Sequence, residues 1–572
     1  DFGAGGVAVA IGELSDGLEI TLDKVPKKYE GLSGTELAIS ESQERMAVVV
    51  SAKDVVRFIA LAAEENLSAT PVAVVTDDRR MKMFHRGKAI VDISRDFLDT
   101  NGVKQVTDAE INEKPTNFFA DKQVGDFKTA LINTLSELNV CSKKGLAEMF
   151  DSTIGAKSVY MPFGGKYQLT PVTAMAAKIT GGETDDCTVS AYGYNPELMS
   201  DSPFTGAIYS IVTSVAKVVA AGGRFEDIRL TLQEFFMRLR EDKKRWGVPL
   251  AALLGALYAQ INLGLGAIGG KDSMSGTFED IDVPPTLISF ALAPAKASAL
   301  IVNVIKRAGE KLYLLPMRKD KNSVPDFAYL KKLYACVNKG IAEGKIKFAT
   351  VAEKGGVAAA VVKSCLGNGF GFKFACDEKL LFNESYGDII VSSDDESEFG
   401  GLDHEYIGVS VAGGFEYKNT EVSVNEAVSA YTGRLDGVFP ATAPATGDLP
   451  DCDYTVRKGK ASEVKTAKPI VFIPAFPGTN CELDTARAFR LADATPEVLV
   501  IKNRTPQDIE ESVCAIIKAI DRANIIAFPG GFSGGDEPDG SGKFIATTFK
   551  NPAVSEKIIE LLQRRDGLVL GI

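Results

Sequence analysis

The first residues of the chain combine the ingredients of a phosphate and metal site. Asp1-Phe2-Gly3-Ala4-Gly5-Gly6 sets a carboxylate beside a glycine turn that opens a helix. Glycines at such a turn let backbone N–H groups approach an anion, and the start of a helix favours phosphate. The Asp1 carboxylate could hold a Mg²⁺ that bridges phosphate oxygens. The same residues also suit a tight strand–helix turn with no ligand, and the motif alone does not choose. Ser40-Glu41-Ser42-Gln43-Glu44-Arg45 gathers polar groups ahead of the apolar run Ala47 to Val50, which reads as a buried strand. Such a cluster can hydrogen-bond an amide or a ribose, although as a bare pattern it reads more readily as a charged loop. Ile268-Gly269-Gly270-Lys271-Asp272-Ser273-Met274 joins a glycine pair to a cation, an anion and a hydroxyl. It lacks the G-x-x-x-x-G spacing of a Walker A loop, and serves equally as phosphate-facing chemistry or as a surface turn.

Two further glycine turns lie near the end of the chain, in Phe476-Pro477-Gly478-Thr479-Asn480-Cys481-Glu482 and in Phe528-Pro529-Gly530-Gly531-Phe532-Ser533-Gly534-Gly535-Asp536. Each follows an apolar strand, and turns at the carboxyl edge of a parallel sheet are where α/β proteins place their ligands. Their backbone N–H groups can face an oxyanion. Cys481 is not read as a nucleophile, because no histidine occurs in this segment to act as its base.

The elements that must position these groups show an internal repeat. Gly5-Gly6-Val7-Ala8-Val9-Ala10 returns 350 positions later as Gly355-Gly356-Val357-Ala358-Ala359-Ala360, and Glu41-Ser42 returns 343 positions later as Glu384-Ser385. Each copy reads as glycine turn, amphipathic helix, loop, then Glu-Ser before a strand. Helical period extends over Lys53 to Glu65, Ser202 to Ala221 and Pro249 to Leu263, and strand character over Ala69 to Val75, Tyr160 to Thr180 and Pro284 to Ala293. Residues 441–468 mix Thr, Pro, Gly and charge without a period and read as a linker. From Pro469 onward, strands at 470–473, 498–501, 525–528 and 568–570 alternate with helices at 484–491, 506–523 and 554–564, the pattern of a parallel α/β sheet.

Composition narrows the function classes. A chain of 572 residues is long enough for about four domains at ~150 residues each. Its 45% hydrophobic and 24% charged content excludes disorder, collagen and coiled coil. A net charge of −12 argues against nucleic acid as a partner, so a phosphorylated ligand must be held by local donors. No uninterrupted apolar run of about 18 residues occurs, and no membrane partner is expected. The eight cysteines, scattered from Cys141 to Cys514 without a C-x-x-C pair, fit reduced thiols in a cytoplasmic protein rather than disulfides or zinc. Two histidines, His85 and His404, are too few and too far apart for a histidine metal cluster.

Taken together, DFGAGGVAVAIGELSDG (1–17), SESQERM (40–46), GGKDSMSG (269–276), FPGTNCELDTARAF (476–489) and FPGGFSGGD (528–536) resemble, in order and from end to end, the large-type phosphoribosylformylglycinamidine synthase family. The resemblance implies an α/β and α+β multidomain chain: duplicated units like aminoimidazole ribonucleotide synthetase, then a partial class I glutaminase-type α/β domain. The expected division is 1–135 for the C-terminal domain of a first unit, 136–300 and 301–440 for the N- and C-terminal domains of a second, 441–468 for the linker, and 469–572 for the glutaminase-type domain. The implied activity is ATP- and Mg²⁺-dependent conversion of formylglycinamide ribonucleotide to its amidine, with ammonia drawn from glutamine.

By that resemblance, Asp1 matches a Mg²⁺ ligand, Gly5, Gly6 and Lys271 are nucleotide-binding candidates, and Glu41, Ser42, Gln43 and Ser273 contact substrate. Lys271 stands where small-type relatives carry an Asn. Gly531 and Phe532 are the expected oxyanion N–H donors. Some large-type relatives also hold an auxiliary nucleotide with Mg²⁺; its ligand positions fall near Ala174, Ser214 and Val218, so a weakened or absent auxiliary site is expected. The chain stops one residue before the family's Cys-Asn-Gly nucleophile. It therefore reads as a segment that lacks the N-terminal part of the same polypeptide and that should not hydrolyse glutamine alone. A catalytically dead nucleotide-binding scaffold is the alternative; other synthetase relatives without an appended glutaminase are opposed by residues 469–572.

Overall fold

The structure, a computed structural model, describes residues 1–27, 30–42, 45–100, 106–113, 116, 118–121, 125–150, 157–179, 184–443, 447, 466–531 and 541–572. The chain forms two compact units, one of residues 1–105 with 451–572 and one of residues 106–450.

In the first unit, residues up to 100 build a four-stranded sheet in the order Ala73–Val75, Leu18–Thr21, Arg80–His85, Lys88–Ser94. Its pairings run antiparallel, parallel, antiparallel. Leu18, Ile20, Met81 and Met83 point to one face, where Val7 and Leu37 close the core. The glycine turn is followed by a helix of only five residues, Gly6–Ala10, shorter than the amphipathic helix its sequence suggests. The run Ala47 to Val50 is not a strand, and Val48 and Val49 are exposed. Its counterpart in the second copy, Ile389–Ser392, is a buried strand between Lys311–Leu315 and Ala349–Val351. No described strand flanks 47–50, so the run has no ladder to join.

The rest of the first unit is a doubly wound sheet, all parallel, in the order Thr495–Val500, Ile470–Ala475, Ile525–Phe528, Leu568–Gly571. Phe472, Ile516, Ile526 and Leu561 pack on one face, and Val471, Ile473 and Ala486 on the other. Alternation along Ile470–Ala475 thus feeds two cores, as a central parallel strand requires. The helix Pro506–Arg522 starts at a capping box between Thr505 and Asp508. A helix at Ser541–Phe549 was not apparent from the sequence. Within this unit Asn66 and Asn503 pair through their amides: Asn66 Nδ2 donates to Asn503 Oδ1 at 3.0 Å, and the Asn503 N–H to Asn66 Oδ1 at 3.2 Å.

In the second unit, a five-stranded sheet runs Ala267–Lys271, Arg229–Phe235, Thr286–Lys296, Asp186–Gly193, Met175–Lys178. The helix Pro203–Ala220 lies in its core, capped by the Ser202 hydroxyl, with Pro203 at its first turn. Among the described residues two helices are long and apolar enough to span a membrane, and this one is 89% buried within the unit. The other, Lys243–Leu263, begins six residues before Pro249, where Asp242 caps it by accepting from the Lys244 N–H, and so takes the proline into its interior. It crosses the buried helix closely at Gly255, where any side chain would overlap the Phe204 carbonyl.

A seven-stranded sheet completes this unit, in the order Ala349–Val351, Ile389–Ser392, Lys311–Leu315, Glu405–Val411, Gly371–Phe374, Phe415–Tyr417, Thr420–Val422. Its last four strands repeat the order and the antiparallel–parallel–antiparallel pairing of the first unit's sheet. The expected first domain runs to 135, but the helix Phe127–Ser136 buries Phe127, Leu131 and Leu135 in the core of this second sheet. Most of the expected linker, 441–468, lies outside the described residues.

Candidate functional site

The glycine turn and the Glu-Ser pair meet in the first unit. The Phe2 N–H donates to the Arg45 carbonyl at 3.0 Å and the Ser42 N–H to the Phe2 carbonyl at 2.7 Å, locking the two segments side by side. Phe2 is buried beneath them. Gly5 and Gly6 have φ of +87° and +54°, and a Cβ on Gly6 would overlap the Ser40 carbonyl, so only glycine permits this approach. The Gly3 N–H donates to Asp1 Oδ1 at 2.9 Å, turning the carboxylate toward the loop. The N–H groups of Ala4 and Gly5 donate to no other described residue. The site thus offers a carboxylate, two open N–H donors, the exposed Glu41 and the half-buried Ser42. Gln43 lies outside the described residues. The brevity of Gly6–Ala10 leaves little helix dipole, so an anion here depends on the loop N–H groups.

The second copy repeats the glycine turn of the first and two of its backbone hydrogen bonds. Gly355 and Gly356 have φ of +82° and +65°. The Gly356 N–H donates to the Glu353 carbonyl at 2.9 Å, as Gly6 does to Gly3 at 3.0 Å; Ala352 donates to the Asp388 carbonyl at 3.1 Å, as Phe2 does to Arg45. A Cβ on Gly356 would crowd the Leu381 and Asn383 carbonyls, the counterparts of the chain just before Glu41. The sequence repeat is therefore a structural one.

Lys271 and Ser273 belong to the second unit. Lys271 ends the exposed strand Ala267–Lys271. Ser273 is held by its own backbone, its N–H on the Glu234 carbonyl at 3.0 Å and its carbonyl accepting from Phe236 at 2.8 Å, which leaves the hydroxyl near only Ser275 at 3.3 Å. Glu234 is buried beside this loop, with Oε1 lacking a hydrogen-bond partner. Burial, and then the Asp272 charge, push its carboxyl up to about 7.

At the carboxyl edge of the parallel sheet, the two glycine turns interlock. The Asn480 N–H donates to the Gly530 carbonyl at 3.1 Å, and the Gly530 N–H to Cys481 Sγ at 3.0 Å. Gly531 sits so close to Gly478 and Thr479 that any Cβ would overlap the Gly478 carbonyl. Its own N–H donates to no other described residue. Phe532 lies outside the described residues. Cys481 is thus an acceptor that pins the loop.

Residues 1–86 match the family model for the AIR synthase related protein C-terminal domain, and residues 468–572 that for the CobB/CobQ-like glutamine amidotransferase domain. Phosphoribosylformylglycinamidine synthase subunit PurL of Thermoplasma acidophilum is 26% identical over 291 residues, 50% of this chain and 38% of that protein. The same subunit of Cutibacterium acnes is 25% identical over 427 residues, 68% of this chain and 55% of that protein. The chain is similar to phosphoribosylformylglycinamidine synthase subunits over half or more of its length. It spans about half the length of the curated relatives it matches.

The fold agrees. The structure of PurLQS from Thermotoga maritima aligns with a TM-score of 0.55 at 19% identity, covering 72% of this chain and 63% of that one. That of Thermotoga maritima PurL complexed with FGAR aligns at 0.53 and 19%, covering 72% and 61%. The glycine turns are plain in the sequence; what braces them is not. Arg95, buried, donates to the carbonyls of Gly12 at 2.9 Å, Ser15 at 2.5 Å and Asp16 at 3.2 Å, holding the loop after the first glycine turn. Nothing in its local sequence marks it. Glu234 was missed for the same reason, since its burial depends on strand pairing. The two histidines each lie beside a carboxylate, His85 Nε2 3.8 Å from Asp23 and His404 Nε2 3.5 Å from Glu396, and His404 Nδ1 meets the Leu402 carbonyl at 2.9 Å.

Proposed function

We propose that this chain carries the synthetase turn and glutaminase-type domain of an ATP-dependent C–N ligase of purine biosynthesis. In this reading the polypeptide converts formylglycinamide ribonucleotide to formylglycinamidine ribonucleotide, with glutamine as the ammonia source. The observation that carries the proposal is the pairing in one chain of an AIR-synthase-type glycine turn, with its N–H donors open, and a glutamine-amidotransferase-type sheet. Relatives solved with ADP, ATP and FGAR support the substrate classes.

Asp1 and the open N–H groups of Ala4 and Gly5 suit Mg²⁺ and phosphate, and the absence of a side chain at Gly6 keeps that cradle clear. ATP supplies the phosphoryl group that makes the amide oxygen of the substrate a leaving group. Glu41, Ser42 and Gln43 are assigned to orient the ribonucleotide, with Ser273 offering a hydroxyl and Lys271 a charge on the substrate side. Gly531, with Phe532, is assigned to stabilise the oxyanion formed as a glutamine carbonyl is attacked. The expected setting is the cytoplasm.

The polypeptide that carries this sequence should release ADP only when ATP, formylglycinamide ribonucleotide and glutamine or ammonia are all present. ADP release independent of the ribonucleotide, or ATP binding with no turnover at all, would contradict this reading; the latter would favour a nucleotide-binding scaffold.

A further inference from the structure

The second copy keeps the backbone of the first but fills it with its own charges. Position for position, Gly3 and Ala4 become Glu353 and Lys354, and Glu41 becomes Glu384. Glu353 Oε1 holds Lys217 Nζ at 2.7 Å. That ammonium also donates to the Tyr192 carbonyl at 3.0 Å and lies 4.7 Å from the centre of the Tyr192 ring. Lys354 Nζ bridges Glu197 Oε2 at 2.5 Å and Glu384 Oε1 at 3.3 Å, and the Tyr386 hydroxyl donates to Glu384 Oε2 at 2.8 Å. The Glu384 and Lys217 side chains are only 3% and 7% exposed. Burial alone would lower the pKa of Lys354, yet its hydrogen bond to Glu197 and the Glu384 charge carry it above the ordinary lysine value.

A divalent cation needs carboxylate oxygens that no ammonium already holds, and a phosphate would have to displace carboxylates from both lysines. The three glutamates would repel it as well. The auxiliary ligand positions inferred by resemblance offer no substitute. Ala174 and Val218 are apolar core, and the Ser214 hydroxyl is shared with Ser289 at 2.9 Å. We propose that Lys217 and Lys354 are internal cations that seal the second copy, so that it takes neither a divalent metal nor a nucleotide and serves to brace the elements around it. Nothing in this depends on what the first copy binds.

The test uses the intact polypeptide and the variants Lys354→Met, Lys354→Arg, Glu384→Gln and the double variant Lys354→Met with Glu384→Gln. Lys354→Met strands a buried carboxylate and should lower the unfolding temperature by about 5 °C. Lys354→Arg should restore most of this loss, and the double variant part of it, because it removes the stranded charge. Should Lys354→Met fail to fold, the double variant carries the comparison. Mn²⁺ and ADP titrations should give the same number of bound ions and nucleotides for the parent and for Glu384→Gln. An unchanged unfolding temperature in Lys354→Met, or one fewer ion or nucleotide bound in Glu384→Gln, would overturn the proposal.

Discussion

At the scale of single residues, the first glycine turn makes the sharpest demand. Gly6 combines positive φ with direct contact to the chain before Glu41, so Gly6→Ala must separate the turn from the Glu-Ser pair. We expect at least a tenfold loss of kcat/KM, about 1.4 kcal/mol of transition-state stabilisation, checked by steady-state assay of ADP release. Glu234 makes a second demand. Its folded pKa, about 7, lies above the ordinary 4.5, so the folded state holds the proton more tightly than the unfolded chain. That contribution is fully present below pH about 4.5 and is lost as pH rises through about 7. Glu234→Gln should therefore be more stable than the parent near pH 8, by about 1–3 kcal/mol, with the gain vanishing near pH 4.5 in urea titrations. The glycine turn and the Glu-Ser pair that meet in the first unit were legible because their residue types and spacing are local. Glu234 was not, because nothing near it in sequence says that two neighbouring strands will bury it.

Among the elements, the sequence pattern was read most faithfully where one segment supplies its own signal. The parallel strands and helices beyond Pro469 fall within a few residues of their expected bounds, since each is a short apolar run or a capped amphipathic period. Ala47 to Val50 failed because a strand needs a neighbour, and the pattern of four apolar residues carries no information about one. The helix Phe127–Ser136 went to the wrong domain for a related reason: its apolar face fits either core, and only packing shows which. Arg95 acts at this scale, tying the helix Arg95–Thr100 to the loop after the glycine turn. Arg95→Met removes three charge-assisted hydrogen bonds and should destabilise the first sheet by about 2–4 kcal/mol. Hydrogen exchange should show faster opening of residues 11–17 while residues 470–528 keep their protection.

Across the whole molecule, duplication governs the architecture. Two glycine turns with matching φ, two shared backbone hydrogen bonds and matching sheet order have diverged in their side chains: one copy sets the Asp1 carboxylate and the exposed Glu41 beside its turn, and the other pairs Glu353 and Glu384 with Lys217 and Lys354. The repeat was visible in the sequence as two offsets in near register. The closure was not, because Lys217 and Glu197 come from elements more than a hundred residues away from the turn they meet. On the proposals above, this polypeptide holds one nucleotide, at the first turn, and none at the second. Equilibrium dialysis of the polypeptide with Mg²⁺ and a non-hydrolysable ATP analogue tests this most directly. One analogue should bind per chain, and Gly6→Ala should abolish that binding. Two per chain, or one that survives Gly6→Ala and disappears in Glu384→Gln, would contradict it.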